Sequence, residues 1–276
     1  MINLLYAGNV GVYDGILTST LSAVMRMEER EPMTVYILTM ELTRVDERYV
    51  PLLEEQRVSL EEALKAKNPD TRVKLFDVTN LYARELAYNA NEGCYCSPYT
   101  LLRLLADLIP EIPDKLLYLD CDTMFNKNIS LLWNIDVSNY EYAAARDHYG
   151  KFLLYPNYIN AGVLLFNMKR CRETGIFERA RELIRKKKLL FADQSALIRS
   201  TTKRKLLSQR YNDQKFLYPG TVIRHFSKRL FYLPYPHVEN VKQWQVERVR
   251  EVFGYTAFDD IWEEYLKAKR RANDDK

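Results

Sequence analysis

The feature that most constrains the fold is an alternation of short, mostly apolar segments with longer amphipathic ones. The apolar segments read as buried strands at residues 2–6, 35–38, 73–78, 116–119, 142–145 and 163–166. Residues 46–67 and 99–109 have helical spacing, as does a segment through Leu17, Leu21 and Val24 with Thr18 or Ser19 as its cap. Strands and helices in this order are typical of an α/β fold with a mostly parallel sheet covered on both faces.

The length and the scatter of chain-breaking residues indicate one main domain. The chain has 276 residues, and its ten prolines and nine glycines are dispersed, so no low-complexity linker divides it. We expect a domain over residues 1–250 and an amphipathic helical tail over residues 251–276. In that tail, Phe258, Ile261, Trp262 and Tyr265 precede a basic end.

Composition excludes several classes of protein. A net charge of +4 is too small for a dedicated nucleic-acid binder, and three histidines with no Cys-x-x-Cys pair do not make a zinc finger. No apolar run reaches the roughly 18 residues that span a bilayer. The N-terminus lacks the basic region and long apolar core of a secretion signal, so we expect a cytoplasmic protein. Any bound metal should be a hard ion held mainly by oxygen.

Two aspartates directly follow the predicted strand at residues 116–119. In open α/β sheets, ligands bind beyond the carboxyl ends of the strands, where the loops at residues 8–13 and 120–122 lie. Asp120 and Asp122 are two residues apart, so in an extended segment both carboxylates project to the same side. A divalent cation would neutralise their repulsion and could also bind phosphate oxygens. From the pair alone, solvated turn aspartates are an equally good interpretation.

Phosphohydrolases of the haloacid dehalogenase type offer another interpretation, because they also place an Asp-x-Asp motif after an apolar strand. Their motif usually lies near the N-terminus, with Thr or Val two residues beyond the second aspartate. Here Thr123 follows Asp122 at once, Met124 fills the later position, and the motif lies in mid-chain. We therefore rank this interpretation below a metal site.

Four stretches of the chain resemble family 8 glycosyltransferases, the retaining GT-A group that includes glycogenin and bacterial lipopolysaccharide galactosyl- and glucosyltransferases. They are residues 97–103, 114–122, 158–167 and 192–195, in the family's order, and the resemblance covers roughly residues 2–245. Each stretch alone is weakly specific, whereas all four in order favour the metal site. The resemblance implies a Rossmann-like GT-A sheet, a UDP-glucose or UDP-galactose donor, and Mn²⁺ or Mg²⁺ on its diphosphate.

The resemblance also implies which residues hold the metal and the diphosphate. Asp120 and Asp122 would be two metal ligands, and His225 would be the third, at the start of the family's His-x-x-Gly-x-x-Lys-Pro-Trp segment. The chain departs from that segment, since Lys228 replaces the glycine and Lys-Pro-Trp is missing at the usual distance. Lys242 is the candidate for a displaced lysine that contacts the diphosphate. Without the resemblance, His225 would be interpreted as a half-buried structural histidine.

Polar side chains that reach the sugar hydroxyls are implied in the same way. The catalytic candidates are Asp147, Asp193 and Gln194, and Arg103 and Asn160 are further sugar contacts. Other roles stay open: Arg103 could orient one of the paired aspartates, Asp147 could be an ordinary turn residue, and Asn160 could favour a left-handed backbone. Gln194 takes the family position near the anomeric carbon, and a neutral amide is a poor nucleophile. We therefore expect front-face attack by the acceptor rather than a covalent intermediate.

The first loop is expected to hold uracil. The family's Ala-x-Asp-x-Asn-Tyr pattern aligns with Ala7, Asn9 and, one position late, Tyr13. An asparagine can hydrogen-bond a base edge, and a tyrosine ring can stack on the base. The predicted nucleotide-sugar contacts are Ala7, Asn9, Tyr13, Arg103, Asp120, Cys121, Asp122, Asn160, Ala161 and Lys242.

The sequence thus predicts a metal-dependent retaining hexosyltransferase that moves glucose or galactose from a UDP-sugar to a saccharide acceptor, such as lipopolysaccharide or another surface glycan. The alternative is a nucleotide-sugar binding protein whose altered late segment has abolished catalysis. The aromatic residues 231–235 are candidates for lining the acceptor site. Basic runs at residues 185–188, 203–205 and 267–271 indicate solvated helix ends or, alternatively, a peripheral contact with an anionic membrane.

Overall fold

A computed structural model describes residues 1–93, 97–233 and 235–274 of the chain. Two of the four cysteines, Cys94 and Cys96, lie outside these ranges. The other two, Cys121 and Cys171, are free thiols.

The described residues form eleven strands. They are β1 (Ile2–Ala7), β2 (Met33–Thr39), β3 (Thr71–Asp77), β4 (Lys115–Leu119), β5 (Thr123–Phe125), β6 (Tyr142–Ala145), β7 (Val163–Asn167), β8 (Arg204–Leu207), β9 (Ile223–His225), β10 (Arg229–Phe231) and β11 (His237–Glu239). Seven of them build one central sheet in the order β3-β2-β1-β4-β7-β6-β8. Within it β7 runs antiparallel to both of its neighbours, and the other pairings are parallel. The predicted mostly parallel α/β sheet is confirmed.

The apolar strands are buried because both faces of the sheet are covered. All six residues of β1 are buried. Leu4 and Tyr6 pack into the cluster on one face, and Leu5 and Ala7 pack into the cluster on the other. Side chains alternate between faces along a strand, so a strand covered on both faces must be apolar throughout.

Ten α-helices complete the described residues. They are α1 (Tyr13–Met25), α2 (Glu54–Lys65), α3 (Thr79–Glu85), α4 (Ser130–Trp133), α5 (Gly150–Leu153), α6 (Met168–Thr174), α7 (Ile176–Lys186), α8 (Ala192–Ser200), α9 (Val246–Phe253) and α10 (Asp259–Asp274). Short 3-10 helices lie at Val10–Val12, Pro98–Leu108 and Gln209–Tyr211.

Three of the helix predictions need correction. The helix expected over residues 99–109 is a 3-10 helix over Pro98–Leu108, which still buries its leucines. The stripe over residues 46–67 forms a helix only from Glu54 to Lys65. Thr18 and Ser19 do not cap α1, because it begins earlier, at Tyr13. The Thr18 hydroxyl donates instead to the Asp14 carbonyl at 2.8 Å, and the Ser19 hydroxyl bonds the Tyr6 hydroxyl at 2.9 Å.

The tail helix α10 is part of the core. Its apolar side chains Ile261, Trp262 and Tyr265 are at most 2% exposed, and the helix packs against α1. The Arg26 guanidinium on the C-cap of α1 holds the Asp260 carboxylate at 2.6 Å. A contact of α10 with a membrane would therefore have to use its charged face. The predicted boundary at residue 250 falls inside α9, and the division into domain and tail stays a prediction.

Candidate metal centre and transfer site

The paired aspartates lie where β4 ends, at the antiparallel junction of the central sheet. The backbone N–H of Asp120 donates to the carbonyl of Gly162 at 2.8 Å, which ties the motif to the start of β7. The Thr123 hydroxyl donates to the Asp120 carbonyl at 2.9 Å and closes a tight turn before β5. The strand ends at Leu119, so the two carboxylates project from its carboxyl end rather than from within it.

His225 is brought to this turn by a second, smaller sheet. Strands β5 and β9 pair antiparallel, with Thr123 opposite His225. The Nε2 atom of His225 lies 3.0 Å from Asp122 Oδ1 and 3.9 Å from Asp120 Oδ2. One ligand atom from each of the three residues lies within 4.8 Å of the others. The structure thus brings together the three residues that the sequence analysis proposed as metal ligands.

Gly162 makes room for this cluster. A Cβ atom at this position would lie 2.3 Å from His225 Cε1 and 2.7 Å from Asp120 Oδ2. Both distances are far below a van der Waals contact of about 3.5 Å. The cluster therefore requires glycine here. Two carboxylates and one imidazole form a donor set that suits Mn²⁺ or Mg²⁺.

Lys242 reaches the same carboxylates from the chain that precedes α9. Its Nζ lies 2.5 Å from Asp122 Oδ2 and 3.3 Å from the Phe226 carbonyl. Burial raises the pKa of Asp122, but Lys242 and His225 lower it by more, so its carboxylate stays ionised. The position of Lys242 at Asp122 agrees with the displaced-lysine interpretation.

The side chain of Arg103 contacts the Asp120 carboxylate. Its side chain is 1% exposed, and its Nη2 donates to Asp120 Oδ1 at 2.9 Å. The same oxygen accepts from the Tyr118 hydroxyl at 2.8 Å, and Arg103 Nε lies 3.3 Å from Asp193 Oδ2. Burial lowers the pKa of Arg103, but Asp193, Tyr118 and Asp120 together raise it above its usual value, so the guanidinium keeps its charge. These contacts favour the interpretation in which Arg103 orients Asp120 over direct contact with a sugar.

Helix α8 carries Asp193 and Gln194 beside this arrangement. The Oε1 atom of Gln194 accepts from the backbone N–H of Ala161 at 2.9 Å, which fixes one end of its amide. Asp193 is buried, and burial raises the pKa of its carboxyl although Arg103 opposes the shift. Both side chains are therefore held close to the chain that carries Gly162.

Asp147 and Asn160 are joined to each other. Asp147 Oδ1 accepts from the backbone N–H groups of Tyr149 and Gly150 at 3.0 Å and 2.6 Å, so Asp147 does act as a turn residue. Its Oδ2 accepts from Asn160 Nδ2 at 2.9 Å. The left-handed interpretation of Asn160 is wrong, because the non-glycine residues with positive φ in the described part of the chain are Tyr88 and Phe191.

The predicted uracil loop is less open than expected. Asn9 is 9% exposed, and its Nδ2 donates to the Arg48 carbonyl at 3.0 Å. Ala7 contributes its carbonyl to the Cys121 thiol at 3.4 Å. Tyr13 is half-buried at the first residue of α1. The uracil contacts of these residues stay a prediction.

Sequence reasoning missed several residues that hold the site in place. Gln243 Nε2 donates to the Cys121 carbonyl at 2.7 Å, and the Gln243 carbonyl accepts from Trp262 Nε1 of α10 at 2.8 Å. The side chain of Asn212 forms a hydrogen bond with Nδ1 of the His225 ring. Isolated amides carry no periodic signal, and the helical pattern that includes Trp262 predicts a buried face without indicating its partner, so nothing in the sequence connects these residues to the aspartates.

Comparison with known proteins decides the family. The sequence model of glycosyl transferase family 8 matches residues 4–230, which is most of the chain. The chain belongs to glycosyl transferase family 8. This membership supports a transferase and decides against the haloacid dehalogenase alternative.

Relatives of this family 8 chain are glycosyltransferases too. It is 38% identical over 97 residues to a putative glycosyltransferase of Haemophilus influenzae, covering 31% of this chain and 29% of the relative. It is 37% identical over 105 residues to glycosyltransferase GlyA of Streptococcus pneumoniae, covering 37% of this chain and 14% of the relative. The matched stretches thus span less than a third of either relative.

Solved structures show the same fold. The galactosyltransferase LgtC, in complex with donor and acceptor sugar analogs, superposes with a TM-score of 0.69 at 17% identity, over 96% of each chain. Glycosyltransferase GlyE of Streptococcus pneumoniae superposes with a TM-score of 0.64 at 20% identity, over 99% of this chain and 63% of that one. The family 8 chain therefore has the GT-A fold of LgtC. Among the residues described, no helix is both long and apolar enough to cross a bilayer.

Proposed function

We propose that this protein is a metal-dependent retaining hexosyltransferase that moves glucose or galactose from a UDP-sugar to a saccharide acceptor. The observation that carries the proposal is the cluster of Asp120, Asp122 and His225 at the carboxyl end of β4, with Lys242 at its edge. Ligands of open α/β sheets bind at this edge. The LgtC structure holds donor and acceptor sugar analogs, which supports a nucleotide-sugar and a saccharide as the two substrates.

Asp120, Asp122 and His225 would hold Mn²⁺ or Mg²⁺, and Gly162 leaves the space that their ligand atoms need. The bound ion would neutralise charge on the departing diphosphate. Arg103 and Tyr118 orient Asp120 by hydrogen bonds to one of its oxygens, and its second oxygen faces His225. This support is the kind that metal ligands receive from the residues around them.

Lys242 provides the second positive charge for the leaving group. Its ammonium lies at Asp122, and the neighbouring Gln243 is anchored to the Cys121 carbonyl, so the charge is in place before the substrate binds. A fixed cation of this kind stabilises charge that develops during the reaction, and its loss typically costs on the order of a hundredfold in rate. The missing Lys-Pro-Trp pattern is thus compensated by a lysine from a different point in the sequence.

The proposed mechanism of transfer with retention is front-face attack. In front-face attack, the bond from the acceptor oxygen to the anomeric carbon forms on the face where the bond to the phosphate oxygen breaks. The acceptor proton passes to that phosphate oxygen, so no protein nucleophile is required. Gln194, whose amide is fixed by Ala161, would stabilise the developing positive charge by its dipole. Asp193 and Asp147 would bind sugar hydroxyls.

The test is hydrolysis and transfer with purified protein. UDP-glucose and UDP-galactose are incubated with Mn²⁺, with Mg²⁺ and with a chelator, and released UDP is measured. We expect metal-dependent turnover that Asp122→Asn reduces at least a hundredfold, while Asp136→Asn, a change at an exposed aspartate that caps Ser138, leaves it intact. The anomeric configuration of the product, read by NMR, tests retention. Tight UDP-sugar binding without turnover over a panel of saccharide acceptors would instead identify a binding protein.

A further inference from the structure

A chain of four polar side chains lies behind the proposed metal centre. Asn160 Nδ2 donates to Asp147 Oδ2 at 2.9 Å, and Asn160 Oδ1 lies 2.9 Å from Asn212 Nδ2. Asn212 Oδ1 lies 3.0 Å from His225 Nδ1. Asn212 is fully buried and His225 is 3% exposed, so water does not replace these bonds.

The direction of every bond in this chain is determined by its first two members. Asp147 is a carboxylate that also accepts two backbone N–H groups, so Asn160 must present its amino group to it. The backbone N–H of Gly162 can only donate, and it donates to Asn160 Oδ1 at 3.0 Å, which identifies that atom as oxygen. Asn212 must therefore turn its amino group toward Asn160 and its carbonyl oxygen toward His225. Facing an acceptor, His225 Nδ1 must carry a proton.

We propose that Asn212 is a positioning residue that holds His225 in the Nδ1–H tautomer. The lone pair of the neutral ring then lies on Nε2, the atom 3.0 Å from Asp122 Oδ1 and 3.9 Å from Asp120 Oδ2. Only this tautomer can bind a metal through Nε2. This chain of four polar side chains also connects the proposed sugar contact Asp147 to the proposed metal ligand His225. The value of this tautomer for catalysis rests on the proposed function, whereas the tautomer itself does not.

The tautomer can be measured without metal or substrate. The chain has three histidines, so ¹⁵N-histidine labelling gives a simple ring spectrum, recorded at a pH of about 8 where ordinary histidines are neutral. In the wild type we expect the His225 ring to carry a proton on Nδ1, the atom that faces the Asn212 oxygen. Asn212→Leu should lose this preference. Asn212→Asp keeps an oxygen acceptor opposite Nδ1 and should restore it.

Metal binding gives the second readout, by titration of Mn²⁺ with calorimetry. Asn212→Leu should weaken Mn²⁺ binding by about 10- to 100-fold, as loss of an orienting partner does. The matched control is Asn126→Leu, which removes an amide that donates to the Thr221 carbonyl at 2.9 Å beside the same small sheet but does not touch His225. A wild-type His225 ring without a proton on Nδ1, or an Asn212→Leu protein that keeps the wild-type proton on Nδ1, overturns the proposal. Mn²⁺ binding absent from the wild type, with the tautomer as expected, would count against the proposed function alone.

A second feature, independent of this chain of hydrogen bonds, is a cleft beside helix α8. It has a volume of about 270 Å³ and is lined by the apolar side chains Leu153, Leu154, Leu190 and Ile198, together with two tyrosines, Ser195 and Arg199. Leu153 and Leu190 are 79% and 63% exposed, and the neighbouring Phe152 is 78% exposed. Exposed apolar patches of this kind, with polar rims, mark binding sites.

The cleft is continuous with the residues proposed to bind sugar. Tyr158 and Ser195 form its inner wall, and their hydroxyls bond each other at 2.9 Å. The Tyr158 carbonyl accepts from the backbone N–H of Asp147 at 2.8 Å, and Ser195 directly follows Gln194. The inner wall of the cleft is therefore directly connected to two residues that are proposed to act on the sugar.

We infer that this cleft binds the alkyl chain of an anionic amphiphilic acceptor. The lining supplies apolar area for a chain, and Arg199 supplies positive charge for an anionic group. This inference deepens the proposed function by naming a substrate class. It does not depend on the donor or on the metal.

The probes are hexyl, octyl and decyl phosphate below their micelle concentrations, with octyl glucoside as the neutral counterpart. We expect affinity to rise with chain length, up to about fourfold per CH₂, and to be higher for octyl phosphate than for octyl glucoside. Leu153→Ser and Leu190→Ser should reduce the increase in binding affinity with alkyl chain length. Leu53→Ser, a change at a residue that is 51% exposed just before α2 and does not line the cleft, should leave it unchanged.

Absence of chain-length dependence, or equal loss in the Leu53→Ser control, overturns the inference. Binding to phosphatidylglycerol vesicles without binding of alkyl phosphate monomers also overturns it, because the patch would then be a membrane-facing surface. Failure of UDP-sugar turnover with intact alkyl phosphate binding would count against the proposed function only.

Discussion

Substitution of Gly162 by alanine tests the geometry of the metal centre directly. The new Cβ would lie 2.3 Å from His225 Cε1, so the imidazole must retreat by about 1.2 Å to restore an ordinary contact. Metal–ligand distances tolerate only about 0.2 Å. A displacement several times larger should remove His225 from the ligand set. We expect Mn²⁺ affinity to fall at least a hundredfold and turnover to fall with it.

The assay is calorimetric titration of Mn²⁺ into Gly162→Ala and into Gly220→Ala. Gly220 lies before β9, as Gly162 lies before β7, but a Cβ at Gly220 meets nothing within 4 Å, so this variant should behave as wild type. Overpacking should also lower the stability of Gly162→Ala by about 1–3 kcal/mol, which thermal unfolding would show. A Gly162→Ala protein that binds Mn²⁺ with wild-type affinity would refute the three-ligand centre.

Three further outcomes are expected. Lys242→Met should leave Mn²⁺ binding largely intact but slow UDP-sugar turnover on the order of a hundredfold. Turnover equal to that of the wild type in stopped assays would show that Lys242 has no role at the diphosphate. Gln194→Ala should lower kcat more than KM, and near-normal transfer would contradict its support of the transition state. Burial raises the pKa of Glu141, but hydrogen bonds from Thr201 and the backbone of residues 202–203 lower it by more. A lowered pKa stabilises the fold above the unfolded value of about 4.3, so stability should fall as pH drops below it, and Glu141→Gln should flatten this dependence in urea unfolding at several pH values.

Much of the fold could be predicted because it depends on local patterns. The strands β1, β2 and β4 are apolar throughout since they are covered on both faces, and this pattern is visible without any tertiary information. Helix boundaries were less predictable. The cap at Ser19 was misplaced because its hydroxyl serves a buried bond to Tyr6, a partner on another element.

The residues of the candidate site also divide into those that the sequence could identify and those that it could not. Asp120 and Asp122 could be found because a carboxylate pair after an apolar strand is a local signal. The role of Arg103 could not be decided, because the choice between a sugar contact and an orienting ion pair depends on where Asp193 and the Ala161 carbonyl lie. Asn212 carried no signal at all, since a single asparagine before an aspartate is common in turns.

By itself, the sequence determined the layered α/β architecture and the acidic turn at the end of β4, because periodicity and strand ends are properties of neighbouring residues. Only the tertiary structure decided that β9 brings His225 to that turn, that Lys242 contacts Asp122, and that Trp262 of α10 holds the Gln243 carbonyl. These contacts join residues far apart along the chain. Their distances are set by the paths of the connections and the packing of the core, which no local pattern encodes.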